Sequence, residues 1–128
     1  PETPKNVQVT REKIVILDKV YFETGSSKIM SKSHQLLKDV AKVLKDNPWI
    51  KRVRVEGHTD DVGKADRNMK LSKERAESVK KFLVAEGVAS DRLESEGYGS
   101  ERPIDPAKTD AARSQNRRVE FMIIETDN

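Results

Sequence analysis

Residues 53–75 read VRVEGHTDDVGKADRNMKLSKER, and this stretch decides the fold. Its first four residues alternate between apolar and charged side chains, which predicts a half-buried β-strand over 53–56. Gly57 then allows the backbone to leave the sheet. Ser72 is a suitable N-cap and Glu74 suits a first helical turn, so a helix is predicted to begin at Ser72. The stretch therefore predicts a strand, a loop and a helix, in that order.

Two opposite charges stand at the ends of the predicted loop. Asp60 follows the strand, and Arg75 lies in the predicted first turn of the helix, fifteen residues later. A loop that returns to the edge of the sheet can bring the two side chains together around a small ligand. Without other information, such a pair is more often a structural ion pair.

The rest of the chain predicts further strands on both sides of this stretch. An apolar run at 14–17 indicates a buried strand, and Val20–Phe22 is predicted to continue it after a kink. Alternation predicts a short strand over Leu93–Tyr98 and a final strand over Val119–Ile123. Val7 and Val9 give only a weak signal for an edge strand.

Three helices are predicted between these strands. The first is capped by Ser31 or Ser33 and runs to Asp46, and its apolar residues recur at helical spacing. The second runs over 72–86 and stops at Gly87. The third is short, begins at Thr109 or Asp110 and continues through Ser114.

The resulting order is β-α-β-α-β-(α)-β, in which helical crossovers favour parallel pairing. Arg54 and Glu56 in one strand, and Arg118 and Glu120 in another, leave one face of the sheet polar. We therefore predict an α/β (α+β) fold, a two-layer sandwich with a mixed four-stranded sheet and helices on one face. Residues 1–128 are predicted to form a single domain with a core at about 14–124, and segments 1–6 and 126–128 are predicted to fray.

The amino-acid composition limits the classes of function that the chain can have. The 128 residues suit one domain, and hydrophobic residues at 34% against charged residues at 37% predict a modest core under a charged surface. The net charge of +3 is mildly basic, but the basic residues are interspersed with 22 acidic ones and aromatic residues reach only 5%. Domains that bind nucleic acids cluster their basic residues and carry stacking aromatics. No nucleic acid partner is therefore predicted.

The sequence contains no cysteine, no membrane-spanning segment and no signal peptide. There is no cysteine, which excludes disulfides and cysteine-based metal sites. No apolar run approaches the length that spans a bilayer, and no signal peptide opens the sequence. Because Pro1 is not a natural start, we expect a fragment whose missing N-terminal part holds any anchor.

Three sequence blocks in the right order resemble the OmpA-like C-terminal domain, the family of Pal lipoproteins and MotB-type stator proteins. They are YFETGS at 21–26, GHTDDVG at 57–63 followed by Asn68 and LSKERA at 71–76, and GYG at 97–99 followed by Pro103, Arg113 and NRRVE at 116–120. The resemblance extends over about residues 20–124. It implies this family's two-layer fold and non-covalent binding of peptidoglycan through the diaminopimelate of its stem peptide.

The resemblance also implies a set of site residues. The family's ligand pair falls on Asp60 and Arg75. Diaminopimelate ends in an ammonium and a carboxylate on one carbon, which suit an acceptor-only Asp and a two-pronged Arg. A helix N-terminus beside Arg75 would add backbone N–H groups. Further ligand contacts are expected from Thr59, Leu71, Thr24, Gly25 and Arg117, with structural support from Asn68, Gly57, His58, Asn116 and Arg118.

Several of these positions have an alternative interpretation. Leu71 can contact the methylenes of the ligand or act as a hydrophobic staple for the helix. Gly25 offers only its backbone, and Arg117 is a possible wall of the pocket. Asn68 is expected to tie down the loop, and His58 to form structural hydrogen bonds at the end of the strand.

Catalysis is not predicted. The only other histidine, His34, is distant from His58 in sequence, no zinc-ligand spacing is present and no serine sits in a hydrolase motif. We expect no enzyme activity, no cofactor and no metal. The predicted role is to anchor an envelope protein to the wall in the periplasm of a Gram-negative bacterium, through a missing part tethered to the outer membrane or a motor protein. The alternative is a module for envelope protein interactions or dimerisation.

Overall fold

The computed structural model describes residues 2–127, in which five strands and three α-helices are arranged in two layers. The strands are β1 (Val7–Val9), β2 (Lys13–Ile16), β3 (Ile50–His58), β4 (Leu93–Gly97) and β5 (Arg118–Thr126). The helices are α1 (His34–Asp46), α2 (Ala65–Ala85) and α3 (Asp110–Asn116), with short 3-10 turns at Ser31–Ser33 and Ser90–Arg92.

The strands form one mixed sheet in the order β1-β2-β5-β3-β4. The parallel pair is β3 with β4, joined by α2, and the other neighbours are antiparallel. The predicted mixed sheet is confirmed, but it has five strands rather than four. The additional strand is β1, whose Val7 pairs with Ile16 and is only 2% exposed, so the core extends beyond the predicted boundary at residue 14.

The core lies between one face of the sheet and two helices. α1 packs on β1 and on α2, and α2 packs on β3 and β4. Alternation places Val53 and Val55 of β3 on this face, both fully buried, while Arg54 and Glu56 point to the other face. Arg54 forms an ion pair with Glu56 at 2.9 Å, so the predicted polar face is confirmed as a surface of paired charges.

The prediction of a strand over Val20–Phe22 is wrong. Phe22 forms only an isolated bridge with Ile29, and the chain turns back at 23–28, where Gly25 has a φ of 65°. The Tyr21 amide donates to the Ser33 hydroxyl instead of to a neighbouring strand. Hydrogen bonds to the loop and to the start of α1 therefore replace the sheet pairing that the apolar pattern suggested.

The predicted start of the second helix is also wrong. α2 begins at Ala65, seven residues before Ser72. Its first turns are largely exposed, so they lack the apolar periodicity on which a sequence-based prediction depends. Ser72 lies inside the helix and is buried, and its hydroxyl donates to the Met69 carbonyl and accepts from the Gly99 amide.

Gly57 does not release the chain from the sheet, as the sequence had suggested. It remains in β3 and is paired with Gly97 on one side and Val119 on the other. A Cβ atom at Gly57 would lie 2.3 Å from the Ser72 carbonyl oxygen, and one at Gly97 would lie 2.3 Å from the Lys73 amide nitrogen. Both glycines are therefore required because α2 lies against the backbone of the sheet.

The outer parts of the chain differ from the prediction in length. β5 continues to Thr126, beyond the predicted end at Ile123, because it pairs along β3 as far as Ile50. Pro1 and Asn128, the outermost residues of the segments predicted to fray, lie outside the described residues. Within the described part of the chain, no helix combines the length and the apolar character needed to cross a membrane.

Candidate functional site

A cavity of about 480 Å³ opens where β3 ends, β5 begins and the middle of α2 passes over the sheet. All seven residues predicted to contact a ligand line it: Thr24, Gly25, Thr59, Asp60, Leu71, Arg75 and Arg117. The volume falls within the range of small-molecule sites. The fold thus brings together residues from four separate segments of the sequence, and their role in binding remains a prediction.

Asp60 forms the acidic wall of this cavity. Its side chain is 12% exposed, and its Oδ1 atom accepts a hydrogen bond from the Val62 amide at 2.9 Å. Its Oδ2 atom lies 2.6 Å from the Nη1 atom of Arg117. Thr59 positions Asp60, because its amide donates to the Gly99 carbonyl and its hydroxyl donates to the Asp60 carbonyl. The carboxylate is therefore fixed in place and already forms an ion pair with Arg117.

Arg75 forms the basic wall and projects from the interior of α2. Its Nε atom donates to the Ser26 carbonyl at 2.8 Å, and its guanidinium lies 4.8 Å from the centre of the Phe22 ring. No carboxylate of residues 2–127 lies within 4.0 Å of it. Burial, and then the positive charge of Arg117, lower the pKa of Arg75 from its usual value. Among the described residues, Arg75 is thus a half-buried cation without an acidic partner.

The structural ion pair that the sequence left open is not formed, since Asp60 pairs with Arg117 and not with Arg75. A second correction concerns the start of α2 at Ala65, which puts Arg75 in the helix interior. The backbone N–H groups expected to assist Arg75 are consequently engaged within the helix. Leu71 is likewise inside the helix, where it lines the cavity and cannot act as an N-terminal staple.

Two of the residues predicted to give structural support hold loops in place. The Asn68 amide group donates to the Val62 carbonyl at 3.0 Å and ties the 60–63 loop to α2. Asn116 lies away from the cavity, where its side chain bonds the backbone of Ile104 and Asp105. These contacts fix the loops at 60–63 and 104–105, and the supporting roles in ligand binding stay predictions.

Arg118 is held more firmly than its neighbour Arg117. It forms an ion pair with Glu120 at 2.6 Å and donates to the carbonyl oxygens of Arg102 and Asn116. The side chain of Arg118 therefore has little freedom to reorient toward a ligand, although it also lines the cavity.

His58 differs from the prediction. Its ring is buried and stacks on Tyr98, with centroids 5.4 Å apart, and neither ring nitrogen has a hydrogen-bond partner among the described residues. The nearest carboxylate oxygens, of Glu56 and Glu120, lie at 3.5 and 3.8 Å. Burial, followed by the charge of Arg118, lowers the pKa of His58, and the two glutamates oppose this shift. His58 therefore packs as a neutral ring.

Several residues of the cavity wall were not predicted from the sequence. Phe22 supports the guanidinium of Arg75, but its block was interpreted as a strand. Lys19 also lines the cavity and donates to the Ser114 carbonyl, and burial, then the charge of Arg117, lower its pKa. Val62, 57% exposed, forms part of the rim. The resemblance of the 21–26 block was a usable signal for Phe22 alone.

No three His, Asp or Glu side chains within the described chain are arranged to hold a metal ion. The charged groups of the cavity are instead a carboxylate, guanidinium groups and a lysine ammonium. Such a set suits a ligand that carries both an anionic and a cationic group.

Comparison with known proteins agrees with this architecture. The model of the OmpA family matches residues 21–117. The peptidoglycan-associated lipoprotein of Pseudomonas aeruginosa is 41% identical over 101 residues, which are 79% of this chain and 59% of that protein. The chain spans between 32% and 60% of the length of the curated relatives that it matches.

Two solved structures have a similar fold. The crystal structure of the peptidoglycan-associated lipoprotein from Burkholderia pseudomallei has a TM-score of 0.73 and 30% identity, covering 82% of this chain and 89% of that one. The periplasmic domain of Helicobacter pylori MotB has a TM-score of 0.77 and 26% identity, covering 95% and 82%. Because the family model matches most of the sequence and the fold is the same, this chain belongs to the OmpA family.

Proposed function

We propose that this domain binds peptidoglycan non-covalently, by taking the end of the diaminopimelate side chain into the cavity between Asp60 and Arg75. The observation that carries the proposal is the guanidinium of Arg75, a half-buried cation in a cavity with no acidic partner among residues 2–127. A charge that is partly removed from water is costly unless it is paired. A ligand carboxylate would supply that partner in two-pronged geometry.

The ammonium of the same ligand would bind at Asp60, whose carboxylate lines the same cavity. The free oxygen lone pairs of Asp60 accept hydrogen bonds only, which suits an ammonium group. Phe22 and Leu71 supply apolar surface for the methylenes of the side chain. A lysine-type stem peptide has the amine but lacks the carboxylate, so we expect it to bind more weakly.

The biological role that follows is attachment of an envelope protein to the cell wall, in the periplasm of a Gram-negative bacterium. Relatives with the names peptidoglycan-associated lipoprotein and outer membrane protein A support this role, as does the structural similarity to a periplasmic MotB domain. We infer a binding module and not an enzyme. A segment outside this sequence would tether the domain to the outer membrane or to a motor protein.

Sedimentation with purified sacculi, together with titration of a diaminopimelate stem peptide, tests this function. Asp60→Asn keeps the shape of the side chain but removes its charge, so binding should fall at least about tenfold. The matched control is Asp61→Asn, because Asp61 is the next residue, pairs with Arg113 at 2.9 Å and does not line the cavity. Folded Asp60→Asn protein that still sediments like the wild type would refute the site.

The same assay separates the proposal from the alternative of a protein-interaction or dimerisation module. Such a module would leave the sacculi in the pull-down unbound, whatever residue stands at position 60. Size-exclusion chromatography on the same samples would then report self-association independently of wall binding.

A further inference from the structure

The carboxylate of Asp60 is not vacant in the unliganded domain. Arg117 holds it through an ion pair of 2.6 Å, and the Asp60 side chain is only 12% exposed. The Arg117 side chain is 48% exposed and lies between the end of α3 and the start of β5. An incoming ammonium therefore has to share or replace a cation that already belongs to the protein.

Arg117 is tethered loosely compared with the arginine beside it. Within residues 2–127, its side chain has a single hydrogen bond, the one to Asp60. Arg118 is fixed by three, to Glu120 and to two backbone carbonyls. Of these two neighbours, Arg117 is thus the one that can leave its partner without breaking other contacts.

Arg117 also lies close enough to Arg75 to affect it. The positive charge of Arg117 lowers the pKa of Arg75, and both side chains line the same cavity. Arg118, the third arginine of the cavity, is paired with Glu120, so Arg75 and Arg117 are left with one carboxylate, that of Asp60, which Arg117 already uses. A second anion supplied by the ligand would relieve the repulsion between the two arginines.

We propose that Arg117 is a specificity-determining residue that exchanges partners when the ligand binds, an inference that rests on the proposed function. The ligand ammonium takes the place of Arg117 at Asp60. Arg117 turns to the ligand carboxylate, beside Arg75. A ligand with both groups leaves every charge paired, because each ion pair that breaks is replaced.

A ligand with the amine alone does not complete this exchange. The terminal ammonium of a lysine-type stem peptide can displace Arg117 from Asp60, but it offers no carboxylate to either arginine. Arg117 then loses its ion pair and gains nothing in return. The ion pair between Asp60 and Arg117 thus selects against ligands that carry an ammonium group but no carboxylate.

The experiment is isothermal titration of two stem peptides, one with diaminopimelate and one with lysine, against three proteins. These are the wild type, Arg117→Gln and the control Arg113→Gln. Arg113 forms the same kind of pair with Asp61, so its substitution removes an equal charge near the site, and Arg113 does not line the cavity. Melting curves check that each protein is folded.

Partner exchange makes the two peptides respond in opposite directions to Arg117→Gln. The lysine peptide should bind about two- to fivefold more tightly, because it no longer breaks an exposed ion pair, and the diaminopimelate peptide should bind more weakly by a similar factor. In Arg117→Gln, the ratio of the Kd of the lysine peptide to the Kd of the diaminopimelate peptide should therefore decrease by roughly tenfold. Arg113→Gln should leave this ratio unchanged.

Two results would overturn the proposals separately. A wild type that prefers diaminopimelate, together with an Arg117→Gln variant that keeps the whole preference, would reject partner exchange and leave the proposed function standing. A wild type that binds neither peptide would reject the proposed function itself.

Discussion

Replacing Arg75 by lysine is the most direct test of the basic wall, because it keeps the charge and removes the planar fork. In the structure the guanidinium group of Arg75 has several roles. Its Nε atom donates to Ser26, its plane lies over Phe22 and its other nitrogen atoms are left for a ligand. An ammonium group is a compact point donor and cannot reproduce these contacts together. The ligand carboxylate should therefore lose one of its two contacts.

The magnitude follows from the environment of the side chain. Removing one partner of a hydrogen-bonded charge pair in a desolvated site costs about 2–5 kcal/mol. Arg75 is only half-buried and lysine retains the charge, so we expect the lower end, about 2 kcal/mol, or about 30-fold in Kd. Arg75→Ala removes the charge as well and should cost about 3 kcal/mol, or about 150-fold.

Stability should change far less than binding. The lost hydrogen bond to Ser26 destabilises the fold by about 1–2 kcal/mol. Weaker repulsion between position 75 and Arg117 offsets part of that loss in Arg75→Ala. We therefore expect Tm to fall by only a few degrees for a domain of this size.

The assay combines titration of a diaminopimelate stem peptide with a melting curve for each protein. Arg67→Lys is the matched control, since Arg67 is an exposed residue of the same helix and does not line the cavity. Folded Arg75→Lys protein that binds the peptide with the affinity of the wild type would refute the two-pronged contact. An equal loss of binding in Arg67→Lys would refute it as well.

Three further results are expected. Stability should decrease as the pH falls below about 6.5, because unfolding returns the lowered pKa of His58 to its ordinary value. Thermal melts of His58→Gln should lose part of this slope, whereas His34→Gln should keep it. Gly97→Ala should lower Tm by at least several degrees, since a Cβ would lie 2.3 Å from the Lys73 amide nitrogen and 2.6 Å from the Ser72 hydroxyl. Amidating the terminal carboxylate of diaminopimelate should weaken binding at least about tenfold in calorimetry, and unchanged affinity would contradict the role of the basic wall.

Local patterns predicted the parts of the fold that bury one face of an element. Val53 and Val55 alternate with charged residues and are buried as expected, because period two places them together on the core side of β3. Such patterns fail where an element buries little apolar surface. The first turns of α2 are exposed from Ala65 onward, so no apolar period marks them. The missing apolar period explains why the predicted start of α2 at Ser72 was wrong.

Part of the composition of the cavity could be predicted, but the pairing of its charges could not. In the ion-pair alternative the partner of Asp60 was Arg75, fifteen residues away, and the observed partner is Arg117, fifty-seven residues away. The cause is the strand order, which puts β5 beside β3 and pairs His58 with Arg118. This register places Arg117 next to the end of β3. The resemblance placed Arg117 at the pocket, but helical crossovers suggested only which strands run parallel, so nothing in the sequence indicated that Arg117 would pair with Asp60.

A contact in the core holds the two charged walls of the cavity together. Gly99 links them, since its amide donates to the Ser72 hydroxyl and its carbonyl accepts from the Thr59 amide. Ser72 lies about one helical turn before Arg75, and Thr59 directly precedes Asp60. The distance between the walls is therefore set where α2 lies against the glycines of the sheet. The loop at 61–64 acts instead on the orientation of the carboxylate, since the Val62 amide donates to Asp60 and Asn68 ties the loop to α2. Gly63, with a φ of 91°, restricts the sequence of that loop.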